Sequence, residues 1–188
     1  MTKRIAVALV TIVLLLAGCS TVRVSQDYRT DLNFSWYRSY NWKAAEEGRG
    51  PANVRLDNPL LHERFQRSID MVLASRGYLL QEKPDFLVSY SYSVETRVET
   101  IPYGPRFGYG FSRRYRYHDF GFDNYYYTDI NQYEVGILAI SFYDPASGLL
   151  TWRGIGTERV DMHATPGETT AFVNRLVTAV LSQFPPRT

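Results

Sequence analysis

Among 188 residues there is one cysteine, Cys19. No disulfide can form within the chain and no cluster of thiolates can hold a metal. Histidine is nearly as scarce: His62, His118 and His163 stand alone. None of them forms a His-x-His or His-x-x-x-His pair, so the usual two-histidine metal spacing is missing. Charge of one sign is not in excess either, with 21 Lys and Arg against 19 Asp and Glu. That balance gives no basic face for nucleic acid. Nor is there an apolar run of the roughly 20 residues that a bilayer-spanning helix takes; the longest run is Ile5 to Leu16. Serine chemistry lacks its surroundings. Ser147-Gly148 sits in a turn composition without an elbow or a positioned base. Gly104, Gly108 and Gly110 follow no phosphate-loop spacing.

What is there begins at the amino terminus. Lys3 and Arg4 precede the short apolar run, and Leu16, Ala17 and Gly18 lead to Cys19. A charged start, a short apolar middle and small residues before a cut make a secretory signal peptide. The Leu-Ala-Gly-Cys ending resembles the bacterial lipobox. That resemblance implies cleavage after residue 18, lipid on the Cys19 thiol and acylation of the new amine, with palmitate-type chains holding the protein to a membrane. Three chains make a lasting anchor, where one gives only marginal binding. Ser20 follows, and by analogy with sorted lipoproteins it implies the outer membrane, with the domain facing the periplasm. The expected organisation is a signal peptide at 1–18 and one domain at 19–188. Loss of Lys3 and Arg4 leaves the mature charge balanced.

Val22 to Tyr28 and Phe34 to Trp42 alternate in character and read as strands, the second with Phe34, Trp36, Tyr40 and Trp42 on one parity. Asn58 and Pro59 open a helix with Leu61, Phe65, Ile69, Val72 and Leu73 on one face, and Gly77 stops it. From Phe86 to Glu99 one parity is apolar (Val88, Tyr90, Tyr92, Val94, Val98) and the other polar (Ser89, Ser91, Ser93, Glu95, Arg97). Such a strand has one dry and one wet face. Tyr133 to Tyr143 is apolar on both parities and reads as a central strand, joined through Asp144 to Gly148 to a hairpin partner at 149–162. Gly154 and Gly156 there imply a bulge or close packing. Thr165, Pro166 and Glu168 form a capping box before a last helix with Phe172, Leu176, Val177, Val180, Leu181 and Phe184 in its stripe. The expected fold is α+β: a two-layer sandwich of a mainly antiparallel sheet with two helices on one face.

Between two good strands lies an aromatic insert at 101–132. Two readings of it stand side by side. It is a flexible or hairpin-extending low-complexity segment, or it is a contact surface. The candidate binding surface is Tyr103, Tyr109, Arg113, Arg114, Tyr115, Tyr117, Tyr125, Tyr126 and Tyr127, since Tyr and Arg together suit sugars, peptides and headgroups. His118 and Asp119 with Asp123 and Asp129 have only generic spacing for a cation. Glu95, Glu99, Glu158 and Asp161 are strand carboxylates that could meet as an acid/base pair or face Arg97, Arg153 or Arg159.

Several stations along the chain resemble the lipoprotein family called domain of unknown function 4136. They are Asp27-Tyr28 before Phe34, Tyr37-Arg38-Ser39-Tyr40-Asn41-Trp42, Asn58-Pro59, Gly77-Tyr78, Pro84-Asp85-Phe86-Leu87-Val88, Leu150-Thr151-Trp152-Arg153-Gly154 and Phe184-Pro185-Pro186. The resemblance implies a small α+β envelope lipoprotein and carries over no catalytic residue. Asp85 and Arg153 are expected either as a pair or apart. The expected function is therefore a non-enzymatic binding or scaffolding domain with no metal or cofactor. It is joined to the membrane through Cys19 and has an envelope protein or glycan as partner and no nucleic acid. A peptidoglycan-contacting module working through the insert is the alternative. A hydrolase of envelope polymers is the third.

Overall fold

The protein's structure is a computed structural model that describes residues 22–44, 58–103 and 127–186. Alternating stretches become strands because β-branched and aromatic side chains fit a pleated, half-buried surface. They are β1 (Arg23–Tyr28), β2 (Ser39–Trp42), β3 (Leu79–Leu80), β4 (Phe86–Tyr103), β5 (Tyr127–Tyr143) and β6 (Leu150–Val160). The two stretches of helical period become α1 (Pro59–Ser75) and α2 (Pro166–Leu181). Among the described residues the strands form one six-stranded sheet in the order β1-β6-β5-β4-β2-β3. β1, β6, β5 and β4 pair antiparallel. β2 pairs parallel with both β3 and β4, because α1 carries the chain back across the sheet between them. The expected two-layer α+β sandwich is found, with the parallel edge as the feature that pattern reading left open.

One face of the sheet is dry. Val88, Phe142 and Trp152 lie in one cross-strand row, and all three are fully buried. Phe65, Ile69 and Leu73 of α1 and Val173, Leu176, Val177, Val180 and Leu181 of α2 pack on that face. Phe184 closes the core, edge-on to Phe142 at 4.7 Å and to Trp152 at 5.3 Å. Burying a side chain of this size contributes about 1.5–3 kcal/mol, and this cluster holds the helices to the sheet.

Caps fix the helix ends. The Asn58 side chain accepts from the Leu60 amide, and Thr165 and Glu168 form the reciprocal capping box. At the far ends Arg76 donates to the carbonyls of Leu181 and Phe184, so the end of α1 satisfies the end of α2 with a cation, as the helix dipole favours. Gly77 takes the left-handed conformation, φ 87°, that its stop role requires.

The β6 glycines are there for close packing. A Cβ on Gly154 would meet the Trp152 ring at 2.5 Å and Val180 at 2.7 Å, and one on Gly156 would meet Val180 at 2.6 Å and Leu176 at 3.0 Å. α2 therefore lies directly on the β6 backbone. The register irregularity falls instead between Phe142 and Tyr143 on β5.

Two expectations are corrected. Phe34 to Trp42 is not one strand: Phe34–Trp36 is a turn of 3-10 helix capped by Asn33, and β2 starts only at Ser39. The turn breaks the parity, leaving Trp36 77% exposed while Tyr37, assigned to the opposite side, stacks on Phe86 at 5.1 Å. Secondly, the insert is shorter than 101–132, because β4 runs to Tyr103 and β5 begins at Tyr127. Of the two arrangements left open for Asp85 and Arg153, the structure shows them apart. Asp85 Oδ2 accepts from the Arg38 and Ser39 amides and the Ser39 hydroxyl at 2.8, 2.9 and 2.9 Å. Arg153 donates to the Ser141 hydroxyl at 2.9 Å.

Candidate functional site

β4 and β5 continue past the end of β6. Val160, the last residue of β6, lies opposite Glu134, and seven further β4–β5 pairs follow, from Arg97↔Tyr133 to Tyr103↔Tyr127. A ribbon of that length projects about 20 Å. Where the ribbon leaves the sheet, a cavity of about 600 Å³ opens under the amino-terminal half of α2. A shallower hollow of about 430 Å³ continues it along the ribbon as far as Gln132. Volumes in this range are those of small-ligand sites.

The cavity is made by residues that strand parity sends to the dry face. Tyr92 and Val94 of β4, Glu134 of β5, Met162 beyond β6 and Phe172 of α2 line it, with Leu61 of α1 across the mouth. Glu158 faces the same way, since its partner Gly136 shares a face with Leu138. Its side chain is only 5% exposed, and Oε1 accepts two hydrogen bonds from Arg175, at 3.3 and 3.1 Å. Gly136 leaves room for the Tyr92 ring, since a Cβ there would lie 2.6 Å from its hydroxyl. Burial, and then the charges of Glu134 and Glu158, push the Tyr92 phenol up to about 12. It stays a neutral donor across the physiological range. An apolar groove with acidic groups, a phenol and a guanidinium at one end has the make-up of a ligand site: apolar walls and a few polar groups that fix orientation.

The mouth on the α1 side is braced. The Tyr90 hydroxyl reaches His62 Nδ1 and donates to the His62 carbonyl at 3.1 Å. The two rings stack at 5.2 Å. Asp70 takes hydrogen bonds from the Tyr40 hydroxyl at 2.7 Å and the Trp42 indole at 3.1 Å, tying α1 to β2.

The carboxylates singled out from sequence divide between the two faces. Asp161 lines the groove and Glu158 is tied to it through Arg175, whereas Glu95 and Glu99 lie on the open face. There Glu95 meets Arg97 at 3.9 Å and Glu99 meets Arg159 at 3.2 Å, in exposed pairs of small energetic weight. Arg159 also stacks on Tyr133 at 3.9 Å. Glu134, Tyr92 and Arg175 were not picked out as a site. The signal was available for one of them: Glu134 is a charge on the parity of Leu138, Ile140 and Phe142, where burial demands a partner.

Cys19, Leu16, Ala17 and Gly18 lie outside the described residues, as do Tyr109, Arg113, Arg114, Tyr115, Tyr117, Tyr125 and Tyr126. The backbones of Tyr103 and Tyr127 pair at the ribbon tip. Among the described residues no group of His, Cys, Asp and Glu could hold a metal ion, and no helix is long and apolar enough to cross a membrane.

Fold and groove define a small α+β sandwich with one open corner. The chain belongs to the family described as Domain of unknown function (DUF4136), which matches residues 24–186. No curated protein matches its sequence. Among solved structures it resembles a PDZ domain protein from Parabacteroides distasonis, with a TM-score of 0.54 and 14% identity. That match covers 89% of this chain and 37% of that one, so the chain spans little more than a third of that relative. It is also similar to the PelC dodecamer from Paraburkholderia phytofirmans, at TM-score 0.46 and 11% identity over 89% of this chain and 99% of that one. At 14% identity the first of these likenesses speaks for the fold alone.

Proposed function

We propose that this protein is a lipid-anchored protein of the bacterial outer membrane, facing the periplasm, which binds its ligand without transforming it. The groove under α2 is the binding site. The observation that carries the reading is the cavity of about 600 Å³ with apolar walls and, in its lining, Arg175, the partner of the buried Glu158. A hydrolase needs one carboxyl held for proton transfer beside a second. Here the most buried carboxylate is engaged by a guanidinium through two hydrogen bonds, which suits recognition better than proton transfer.

Photo-crosslinking in intact envelopes tests it. A photoreactive residue at Thr169 in the groove is expected to capture one partner or ligand, and the same residue at Ser91 on the open face is not. Equal capture from both positions, or capture unchanged in the anchor variant Cys19→Ala, overturns the reading. Mass spectrometry of the amino-terminal peptide checks acylation of Cys19 directly.

A second reading is glycan contact through the Tyr/Arg-rich segment. The Tyr103↔Tyr127 pairing supports it by setting both ends of that segment at the tip of a projecting ribbon. Co-sedimentation with purified sacculi, with and without residues 104–126, decides it. Binding that survives the deletion rules it out.

A further inference from the structure

We infer that the groove end of the sheet lies against the lipid surface, and that the helix-side face of the β4–β5 ribbon with Met162 is the contact. This rests on the anchor proposed for Cys19.

The argument starts from register. Arg23, the first residue of β1, pairs with Thr157, and Tyr28, the last, pairs with Trp152. β1 therefore begins at the end of β6 that leads to Val160 and the groove, and runs away from it. Val22 is fixed there, its side chain 3.6 Å from the place a Cβ of Gly156 would take. Only Ser20 and Thr21 separate Val22 from Cys19. A fully extended chain covers at most about 3.6 Å per residue, so the acylated cysteine is held within about 11 Å of Val22. A tether that short brings one end of the sheet to the bilayer and keeps the other away.

The end so placed has a surface to match. On the ribbon, Val98 pairs with Gln132 and Thr100 with Ile130, and these share a face with Val94. Val98 is 59% and Ile130 62% exposed, and Met162 beside them is 46% exposed. Beyond Glu134 the described side chains of this face carry no charge. The opposite face of the ribbon carries Glu95, Arg97 and Glu99. The ribbon is thus amphipathic, its uncharged side continuous with the groove. Exposure alone would not choose this end, since Leu80 and Leu149 at the other end are 59% and 54% exposed. The tether chooses it.

The test uses the full-length acylated protein. With Cys19 consumed by lipid, an introduced cysteine is the only thiol. Val98→Cys, Ile130→Cys and Met162→Cys report on the proposed contact, and Leu80→Cys and Leu149→Cys on the far end. Each carries an environment-sensitive fluorophore and is reconstituted into vesicles of phosphatidylethanolamine and phosphatidylglycerol containing nitroxide-labelled lipid. The three contact labels are expected to lose at least half their emission to the nitroxide and to gain several-fold protection from aqueous iodide. The far-end labels are expected to do neither. Contact labels as open to iodide as in detergent, or far-end labels quenched as strongly, overturn the inference. Flotation separates the two levels of failure. Protein that floats with unquenched contact labels keeps its anchor and refutes the apposition; protein that does not float refutes both.

Discussion

The place to test the packing that shapes the groove is Gly156, because α2 can sit where it does only if β6 presents bare backbone. In Gly156→Ala the new methyl would lie 2.6 Å from Val180 and 3.0 Å from Leu176, both fully buried. Overpacking of this kind costs about 1–3 kcal/mol. It outweighs the roughly 0.5–1 kcal/mol that alanine gains over glycine in a regular element. Val180→Ala alone removes two methyl-sized groups from the same spot, for about 2 kcal/mol of lost transfer and cavity. In the double variant the added methyl occupies the vacated space, so the two costs fail to add, by about 1 kcal/mol or more. Gly167→Ala is the control, since nothing lies within 4 Å of a Cβ there; in the first turn of α2 it is expected to be neutral or stabilising. Urea unfolding of a chain beginning at Ser20, followed by tryptophan fluorescence, measures all four. Additive costs, or a Gly156→Ala variant as stable as the parent, would falsify the claim that β6 glycine sets the helix height.

Three further outcomes follow from the hydrogen bonds and burial described above. Asp85→Asn is expected to lose about 1–3 kcal/mol, near the low end because the site is exposed. The amide hydrogen bond from Arg38, foremost, holds the Asp85 carboxyl below its usual range. Its contribution is therefore present above the unfolded value near about 4 and is lost as pH falls through the folded one. The gap between parent and variant should close in acid, and a gap constant from pH 7 to pH 2 would count against the carboxylate. Arg175→Met should cost about 2–4 kcal/mol by leaving the buried Glu158 without its guanidinium, with part regained on adding Glu158→Gln; chemical denaturation of the three variants gives the coupling. Burial first, then Glu134 and Glu158, keep the Tyr92 phenol protonated to about 12. Stability is full below pH 10 and falls as pH rises through 12, and Tyr92→Phe should flatten that loss in thermal melts.

Most of the fold was legible because burial repeats with the period of the backbone. β4 is the clearest instance: Val88, Tyr90 and Tyr92 face the helices and Ser89, Ser91 and Ser93 do not. Where the period broke, reading failed. One 3-10 turn at Phe34–Trp36 shifts the phase, so Trp36 and Tyr37 exchange sides relative to a continuous strand. The parallel pairing of β2 with β4 was hidden because register between strands separated by a helix leaves no local mark. The groove was half legible. Glu158 stood out as a strand carboxylate, but its partner Arg175 lies on another element, in the middle of a helix whose apolar stripe drew the attention.

The family-signature stations turn out to be structural, and that bears on where function resides. Asp85 ties the start of β2 to the chain before β4, and Trp152 anchors the core while its indole donates to Gln26 on β1 at 3.0 Å. Asn58 caps α1, Gly77 ends it, and Phe184 seals the bottom of the sandwich against Phe34, Phe86, Phe142 and Trp152. None of these lines the groove. The residues that do (Tyr92, Glu134, Met162, Phe172 and Arg175) fall outside every station. A scaffold specified by one set of residues and a groove by another permits one fold to present different ligand surfaces. Substituting Met162, which is 46% exposed, should therefore change what the groove holds while leaving unfolding nearly untouched. Substituting Trp152 with alanine should cost about 3–5 kcal/mol and abolish binding only through the fold. A Met162 variant that unfolds as readily as the Trp152 one would show that groove and scaffold are a single unit.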